Sequence, residues 1–492
     1  MDTLTMINGA AVAFSSIPVM DYAAFAAKAT TALSGNSIDN HCVTYFAFPY
    51  EGACRLLMGI ACDSRHTLDV FSCPVPPNAS LASLTSQIPA LSRFEREMAA
   101  VTALRFEGHP RLKPLRTTPD DYPFDCLPGE GLHQVGVGPI HAGVIEPGHF
   151  RFTCDGEQIL NLEIMLGYQH RGIERLMVEK TRLMERVILA EAIAGDTAVG
   201  HGIAFARTWE GLCGFSAVAS ILWARTLAAE LERMAIHTGD LSALCGDVAY
   251  QLGAAVYGRL RTPLINFMQQ WCGNRLGKTC VRPFFTPYPF TPQLAQVLLK
   301  TLDAFERDFV EMGKQIARFP SVLSRLERTG VVTAEQVCRM GAVGMAARAS
   351  GLERDVRSSH PYLMYELLAH KPVVKHHGDV YSRLQVRKEE VMQSMGYVRT
   401  LLQQVPDFAG SDGFVERPLK PGMFALSLTE GWRGELCHCA LTDAQGKLAF
   451  YKVKDASFHN WDALELAVRN NGISDFPICN KSFNLSYCGH DL

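Results

Sequence analysis

The sequence predicts an α+β protein: a small mixed α/β domain at the N-terminus, then a large helix-rich domain bearing small antiparallel sheets. Three observations predict it. Strand-forming runs crowd the first part of the chain, a proline-rich stretch follows, and a helical periodicity then runs from about Glu174 to Glu327. At 492 residues, with 48% hydrophobic and 20% charged residues, the chain can bury a large core and is too apolar to stay disordered.

The elements can be justified in order. "CVTYFAFPY" (Cys42 to Tyr50) and "LDVFSCPV" (Leu68 to Val75) are rich in strand formers. Between Leu81 and Ala103 the pattern turns helical, ending in "FEREMAAVTAL". Prolines at 110, 114, 119, 123 and 128 cannot sit inside regular elements and predict an extended linker. The division is therefore residues 1–115, a linker over 116–132, and a large domain over 133–492. That domain opens with "HQVGVGPIHAGVIEPGHFRFTCDGEQILNLEIML", whose glycines, prolines and short β-type runs predict a small antiparallel sheet. Gly136 and Gly138 are no dinucleotide fingerprint, because Pro139 follows and no helix starts there.

In "SAVASILWARTLAAELERMAIHTGDLSAL", Leu227, Leu231, Met234 and Thr238 recur at helical spacing, with Glu230, Glu232 and Arg233 elsewhere around the helix. This is a core helix whose stripe needs no ligand. "SRLQVRKEEVMQSMGYVRTLLQQV" predicts a further helix, and "GELCHCALTD" with "KLAFYKVKDASF" a hairpin around "DAQG". Cys437 and Cys439 flank His438 at period-two spacing. Two small buried side chains on one strand face explain the triplet better than metal ligation does.

Composition excludes several classes of function. A formal net charge of -3 provides no global field for nucleic acid or anionic lipid. No apolar run is long enough to span a bilayer, and "MDTLTMINGAAVAF" lacks the basic region of a signal peptide. Fifteen cysteines without a CxxC pair predict reduced thiols in the cytosol. A membrane role would need a partner as anchor.

Several motifs in fixed order resemble one family. "VGPIHAGVIEPGHFRF", "LGYQHRGIERLM", "GVVTAEQVCRMGAVGMAARASGLERDVRSSHPY", "GDVYSRLQVRKEEV" and "EGWRGELCHCALTD" look like successive segments of the large subunit of membrane-bound, energy-converting nickel–iron hydrogenases of the formate hydrogenlyase type. That subunit is related to the 49 kDa subunit of respiratory complex I. "FEREMAAVTALRFEGHPRLKPL" looks like the end of the complex I 30 kDa subunit, fused ahead of it in this hydrogenase group.

The resemblance implies a nickel held by four thiolates from two CxxC pairs, since a soft redox metal needs sulfur donors. Aligned on the family motifs, those positions fall on Ala194, Thr197, Ser486 and Gly489. A slip of one residue would rescue Cys488 alone, and no cysteine lies between Cys154 and Cys213. The chain also stops at Leu492, about where the family's clipped form ends. The expectation is no metal and no cofactor in this chain.

Other matches carry expectations too. Glu174 matches a proton-passing glutamate that His170 and Arg171 would orient; the alternative is an ion pair with Arg171 or Lys180. Arg433 matches an arginine over the metal pocket, or else pairs with a carboxylate such as Glu435. Gly138, Pro139 and His141 resemble the start of a quinone-facing loop, against which stands a structural hydrogen bond for His141. The loop's second histidine is out of register, His149 falling later, and the family's quinone-facing tyrosine would fall near Gly195.

The implied partners are an iron–sulfur small subunit with a four-iron four-sulfur cluster, antiporter-like and other integral membrane subunits, and a formate dehydrogenase; nucleic acid is not among them. The implied location is the cytoplasmic face of the membrane, peripheral through those partners. Three functions stay open: an oxidoreductase subunit serving electron transfer and proton coupling, with a quinone as candidate acceptor; a non-catalytic scaffold; and an active nickel–iron hydrogenase.

Overall fold

The strand runs of the N-terminal domain are almost continuously apolar because the sheet they form is buried on both faces. The computed structural model describes residues 3–34, 38–141, 146–409 and 413–492. Leu4–Met6, Thr67–Val75, Ala53–Cys62 and Asn40–Tyr50 lie side by side in that order, all antiparallel. One face packs Tyr45 and Phe71 against Phe25 of the helix Tyr22–Leu33, which Asp21 caps by accepting from the Ala24 amide at 2.8 Å. The other face turns Phe46 and Phe48 onto Phe450 of the large domain, with ring centroids 5.0 and 4.9 Å apart.

The helix expected over Leu81 to Ala103 is shorter. Ser80–Ala82 is a strand paired in parallel with Arg105–Glu107, and the helix occupies only Ser92–Val101. Glu95 is the reason: its buried carboxylate accepts from the Ser83 and Thr85 hydroxyls and the Leu84 amide, holding that segment as a turn. The proline-rich stretch is irregular, as its composition requires, but it is tied down. Arg111 pairs with Glu465 at 2.6 Å, Lys113 with Glu163, and Arg116 with Asp491 at 2.7 Å.

The antiparallel sheet of the large domain comprises Leu132–Val137, His149–Asp155 and Gln158–Met165, with His149–Asp155 central. Ala142 to Ile145, within the quinone-loop-like motif, lie outside the described residues. Beyond Ile173 the chain is mainly helical. The long helix Ala219–Asp247 packs against Gln251–Cys272 and Val380–Gln403. A second sheet is built from Leu448–Lys454, Glu435–Thr442 and Met423–Glu430, and its fourth strand is Ala11–Ala13 from the start of the chain. The hairpin turn forms where expected; Asp443 accepts from the amides of Gln445 and Lys447. Cys437 and Cys439 are buried on one strand face with sulfurs 3.7 Å apart.

Helix Ala219–Asp247 is buried around most of its length, so its charged residues other than the terminal Asp247 do not face solvent. They belong to a paired network. Arg348 contacts Glu390 at 2.6 Å, Glu430 at 2.8 Å and Asp355 at 3.2 Å. Arg357 pairs with Asp355 at 2.7 Å, Glu230 accepts from Tyr365 and Ser394, and His237 meets Glu390 at 2.8 Å. Arg387 on Val380–Gln403 reaches Asp240 at 2.8 Å. Removing one member strands a charge in a dry interior. Arg348→Met is expected to cost about 3–5 kcal/mol, read as a lowered midpoint in chemical denaturation of the purified chain.

Candidate functional site

Two short segments meet between the large domain's helices and its second sheet. One is the turn between the helices Leu183–Glu191 and Ala198–Cys213; the other is the C-terminal run after Asn484. Ala194 and Thr197 sit on the first, Ser486 and Gly489 on the second, all of them buried. The turn closes by a Thr197 amide to Ala194 carbonyl hydrogen bond of 2.9 Å. The helix it leads into exposes orphan amides at its N-terminus, and Glu232 satisfies two of them, Val199 at 2.7 Å and Gly200 at 3.1 Å. Burial pushes Glu232 up to about 8 against the pull of those amides.

Arg433 holds the two segments together. Its guanidinium makes a bidentate pair with Asp196, both contacts 2.7 Å, donates to the Thr197 hydroxyl at 3.1 Å and reaches the Asn484 carbonyl at 2.5 Å. It lies 4.0 Å from the Trp432 ring centre, while the Trp432 indole donates to the Asp196 carbonyl at 2.8 Å. Asp196, not Glu435, is therefore the partner of Arg433. Glu435 is taken by Lys454 at 2.6 Å and His41 at 2.7 Å, which hold its carboxyl well below the usual range against the opposing effect of burial.

The side chains of Ala194, Thr197, Ser486 and Gly489 offer two hydroxyls, both committed. The Ser486 hydroxyl accepts from the Gly489 amide at 2.9 Å, and that of Thr197 is held by Arg433. A β-carbon on Gly489 would come 2.9 Å from the Ser486 oxygen and 3.0 Å from the Asp455 carboxyl carbon, so a side chain there needs those two side chains to give way. Cys488 lies 3.6 Å from the Ser486 oxygen, and burial raises its thiol pKa, favouring the protonated form. Cys479 is remote beside Arg383, its thiol pushed up to about 12 by burial. Among the described residues, no three or more His, Cys, Asp or Glu side chains are grouped to hold a metal ion.

Glu174 takes neither of the cationic partners named for it. Its carboxylate accepts from Lys452 at 3.0 Å and from the Val453 amide at 2.9 Å, and Lys452 also pairs with Glu97 at 2.6 Å. Burial pushes Glu174 up to about 7, Lys452 opposing and Glu97 adding to the shift. Arg171 instead donates to the carbonyls of Ala192 and Ile193 at 2.7 and 3.0 Å, bracing the turn that carries Ala194. Lys180 pairs with Glu185, and His170 lies 3.4 Å from Asp491. Neither His170 nor Arg171 thus orients Glu174. His141 contacts the Gly148 carbonyl at 2.9 Å, the structural bond weighed against a quinone role.

Residues missed in the sequence complete the site. Asp196 stands between Ala194 and Thr197, and no local pattern in the sequence marks it. Glu146 approaches Arg433 and Arg171 closely enough for their charges to offset part of the rise that burial imposes on its pKa.

The model for the respiratory-chain NADH dehydrogenase 49 kDa subunit matches residues 247–418, which include the helices Gln251–Cys272, Pro292–Ile316 and Val380–Gln403. The chain carries a domain of the complex I 49 kDa family. The chain is also 28% identical over 355 residues to the carbon monoxide-induced hydrogenase of Rhodospirillum rubrum, an alignment covering 72% of this chain and 97% of that protein. Hydrogenase-4 component G of Escherichia coli K12 is 26% identical, with 92% of this chain and 81% of that one aligned. The C/D subunit of NADH-quinone oxidoreductase from Phocaeicola vulgatus is 28% identical over 70% of this chain and 66% of that protein. The expected kinship with hydrogenase large subunits and with fused complex I subunits thus holds.

The raised pKa of Glu232 gives a signed prediction. Its folded value, about 8, lies above the ordinary 4.5, so the folded state binds the proton more tightly between those limits. Stability from this group is present at acid pH and is lost as pH rises towards about 8. Glu232→Gln, which cannot ionise, should gain on the native chain across that window and keep a constant advantage above it. Denaturation midpoints of both proteins at pH 5, 7 and 9 check this.

Proposed function

We propose that this chain is the large subunit of a membrane-associated oxidoreductase complex of the hydrogenase and complex I kind, without a nickel–iron centre of its own, serving electron transfer and proton coupling. The observation that carries this reading is the content of the cradle. A methyl group, two committed hydroxyls and a glycine occupy the four positions where the family's thiolates would stand, and the Arg433–Asp196 pair closes the space beside them. Oxygen donors of this kind are poor ligands for soft nickel, and a side chain at Gly489 would crowd the Ser486 hydroxyl and the Asp455 carboxylate.

The partners follow from the relatives, whose names place them in hydrogenases and NADH-quinone oxidoreductases. An iron–sulfur small subunit with a four-iron four-sulfur cluster would bring electrons, and integral membrane subunits would anchor the complex at the cytoplasmic face. Among the described residues no helix is long and apolar enough to cross a membrane, which supports anchoring by partners. A quinone is the acceptor class this reading favours, and a formate dehydrogenase a donor. A second reading, a scaffold without turnover, is favoured by Arg433, every visible contact of which is structural.

Metal analysis of the complex purified from nickel-supplemented cells should find no stoichiometric nickel on this chain; one nickel per chain would sink the proposal. Glu174→Gln in the assembled complex separates the readings. Turnover or proton movement is expected to drop with assembly intact, whereas unchanged activity favours the scaffold.

A further inference from the structure

The Cys437-His438-Cys439 triplet carries a residue that the cradle alone does not explain. His438 is fully buried, and both of its ring nitrogens are engaged. Nδ1 lies 2.7 Å from the Tyr451 hydroxyl, and Nε2 lies 3.0 Å from Nδ1 of His201. His201 is fully buried too, and its Nε2 lies 3.1 Å from an Asp455 carboxylate oxygen. The other Asp455 oxygen accepts from the Ser457 amide at 2.7 Å. Four side chains thus form one unbranched line through the second sheet and onto the helix Ala198–Cys213.

The two ends of the line lie at different places. Asp455 is at the floor of the cradle, against Gly489 and within the field of Arg433. Tyr451 lines a cavity of about 890 Å³ between the N-terminal domain and the large domain. Its walls are mainly apolar, with Tyr45, Phe94, Met98 and Phe450 prominent, and its polar corner is the cluster of Glu97, Glu174 and Lys452.

We propose that Tyr451, His438, His201 and Asp455 form a proton relay between this cavity and the cradle. The proposal deepens, and rests on, the reading of the chain as a proton-coupling subunit. The geometry fixes the direction of donation. An ionised Asp455 can only accept, so His201 donates from Nε2 and accepts at Nδ1; His438 then donates from Nε2 and accepts the Tyr451 hydroxyl proton at Nδ1. Burial opposes ionisation of Asp455, but the hydrogen bond from His201 and the charge of Arg433 hold its pKa well below the ordinary value. Burial keeps His438 neutral by lowering its pKa far below that of a free imidazole.

Transfer is a concerted shift along that line. Tyr451 takes a proton at its oxygen from the cavity side and releases its own to Nδ1 of His438. Nε2 of His438 passes one to Nδ1 of His201, and Nε2 of His201 passes one to Asp455. Each side chain that gains a proton gives one up, the two imidazoles at their other nitrogen, except the carboxylate at the end, which becomes neutral; no electron moves. The same shift in reverse carries a proton from Asp455 to the cavity, so the line conducts in both directions.

The test uses the complex purified with the native chain and with Tyr451→Phe or His438→Gln. Tyr451→Phe removes a single oxygen and should leave assembly and thermal stability close to native. Coupled proton uptake should fall by about a hundredfold, with a changed solvent deuterium isotope effect. Native rates and a native isotope effect in Tyr451→Phe overturn the relay. The histidine tautomers, read by 15N NMR of the labelled native chain, supply a measurement free of turnover. Neutral Nε2–H rings at both His201 and His438 support the line, and an Nδ1–H or cationic ring at either overturns it. A native complex that moves no protons defeats the coupling reading, and the tautomers then decide the hydrogen-bonded line by themselves.

Discussion

Every charge taken into the interior of this protein must meet an opposite charge or a hydrogen-bond partner, and that constraint organises the large domain. Helix Ala219–Asp247 brings Glu230, Glu232, Arg233, His237 and Asp240 into the core at once. Replacing such pairs with well-packed hydrocarbon is often neutral for stability, so their energetic yield is small. Their geometric consequence is large. Glu390 and Glu430 tie Arg348 to two other elements, and Asp240 ties both Arg387 and the Asn484 amide to the helix. Asn484 in turn meets Arg433. The cradle is therefore suspended from the buried network rather than laid on an apolar floor.

Such an arrangement leaves the frame of the site satisfied by residues of the chain itself. The Arg433–Asp196 pair, the Glu232 cap on two helix amides and the Arg171 brace on Ala192 and Ile193 need no metal to be satisfied. Each satisfies polar groups that would otherwise be costly to bury. The shape of the domain around the cradle consequently rests on these internal pairs.

Much of the fold was legible in the sequence because hydrophobic period and turn chemistry are local signals. The strands Asn40–Tyr50 and Thr67–Val75, the helix Val380–Gln403 and the hairpin around Asp443 to Gly446 all announce themselves this way. Where local signals mislead, a tertiary contact has won: Glu95 pulls Ser83 to Thr85 out of helix, and burial around most of its length hides the polar stripe of Ala219–Asp247. At the site, alignment on the family motifs named Ala194, Thr197, Ser486 and Gly489, and Arg433 links the two segments that carry them. Partners could not be read in the same way. Asp196 and Arg433 are 237 residues apart, and Glu174 finds Lys452 at a separation of 278. Pairings over such lengths are fixed by topology, which a single sequence does not display.

The strand Ala11–Ala13 has a bearing on how such a two-part chain evolves. Asn8 and Gly9 bond Leu428 and Leu426, and the next residues run beside Met423 to Ala425, so the opening segment finishes a sheet whose other strands come from the far end of the polypeptide. A gene split at the proline-rich stretch would give two products, each lacking something the other holds: one with a loose tail, the other with an unprotected sheet margin open to unwanted pairing. Fusion into one reading frame keeps the two at matched dosage and high local concentration. Having threaded its beginning through its end, the polypeptide has made a return to separate genes costly.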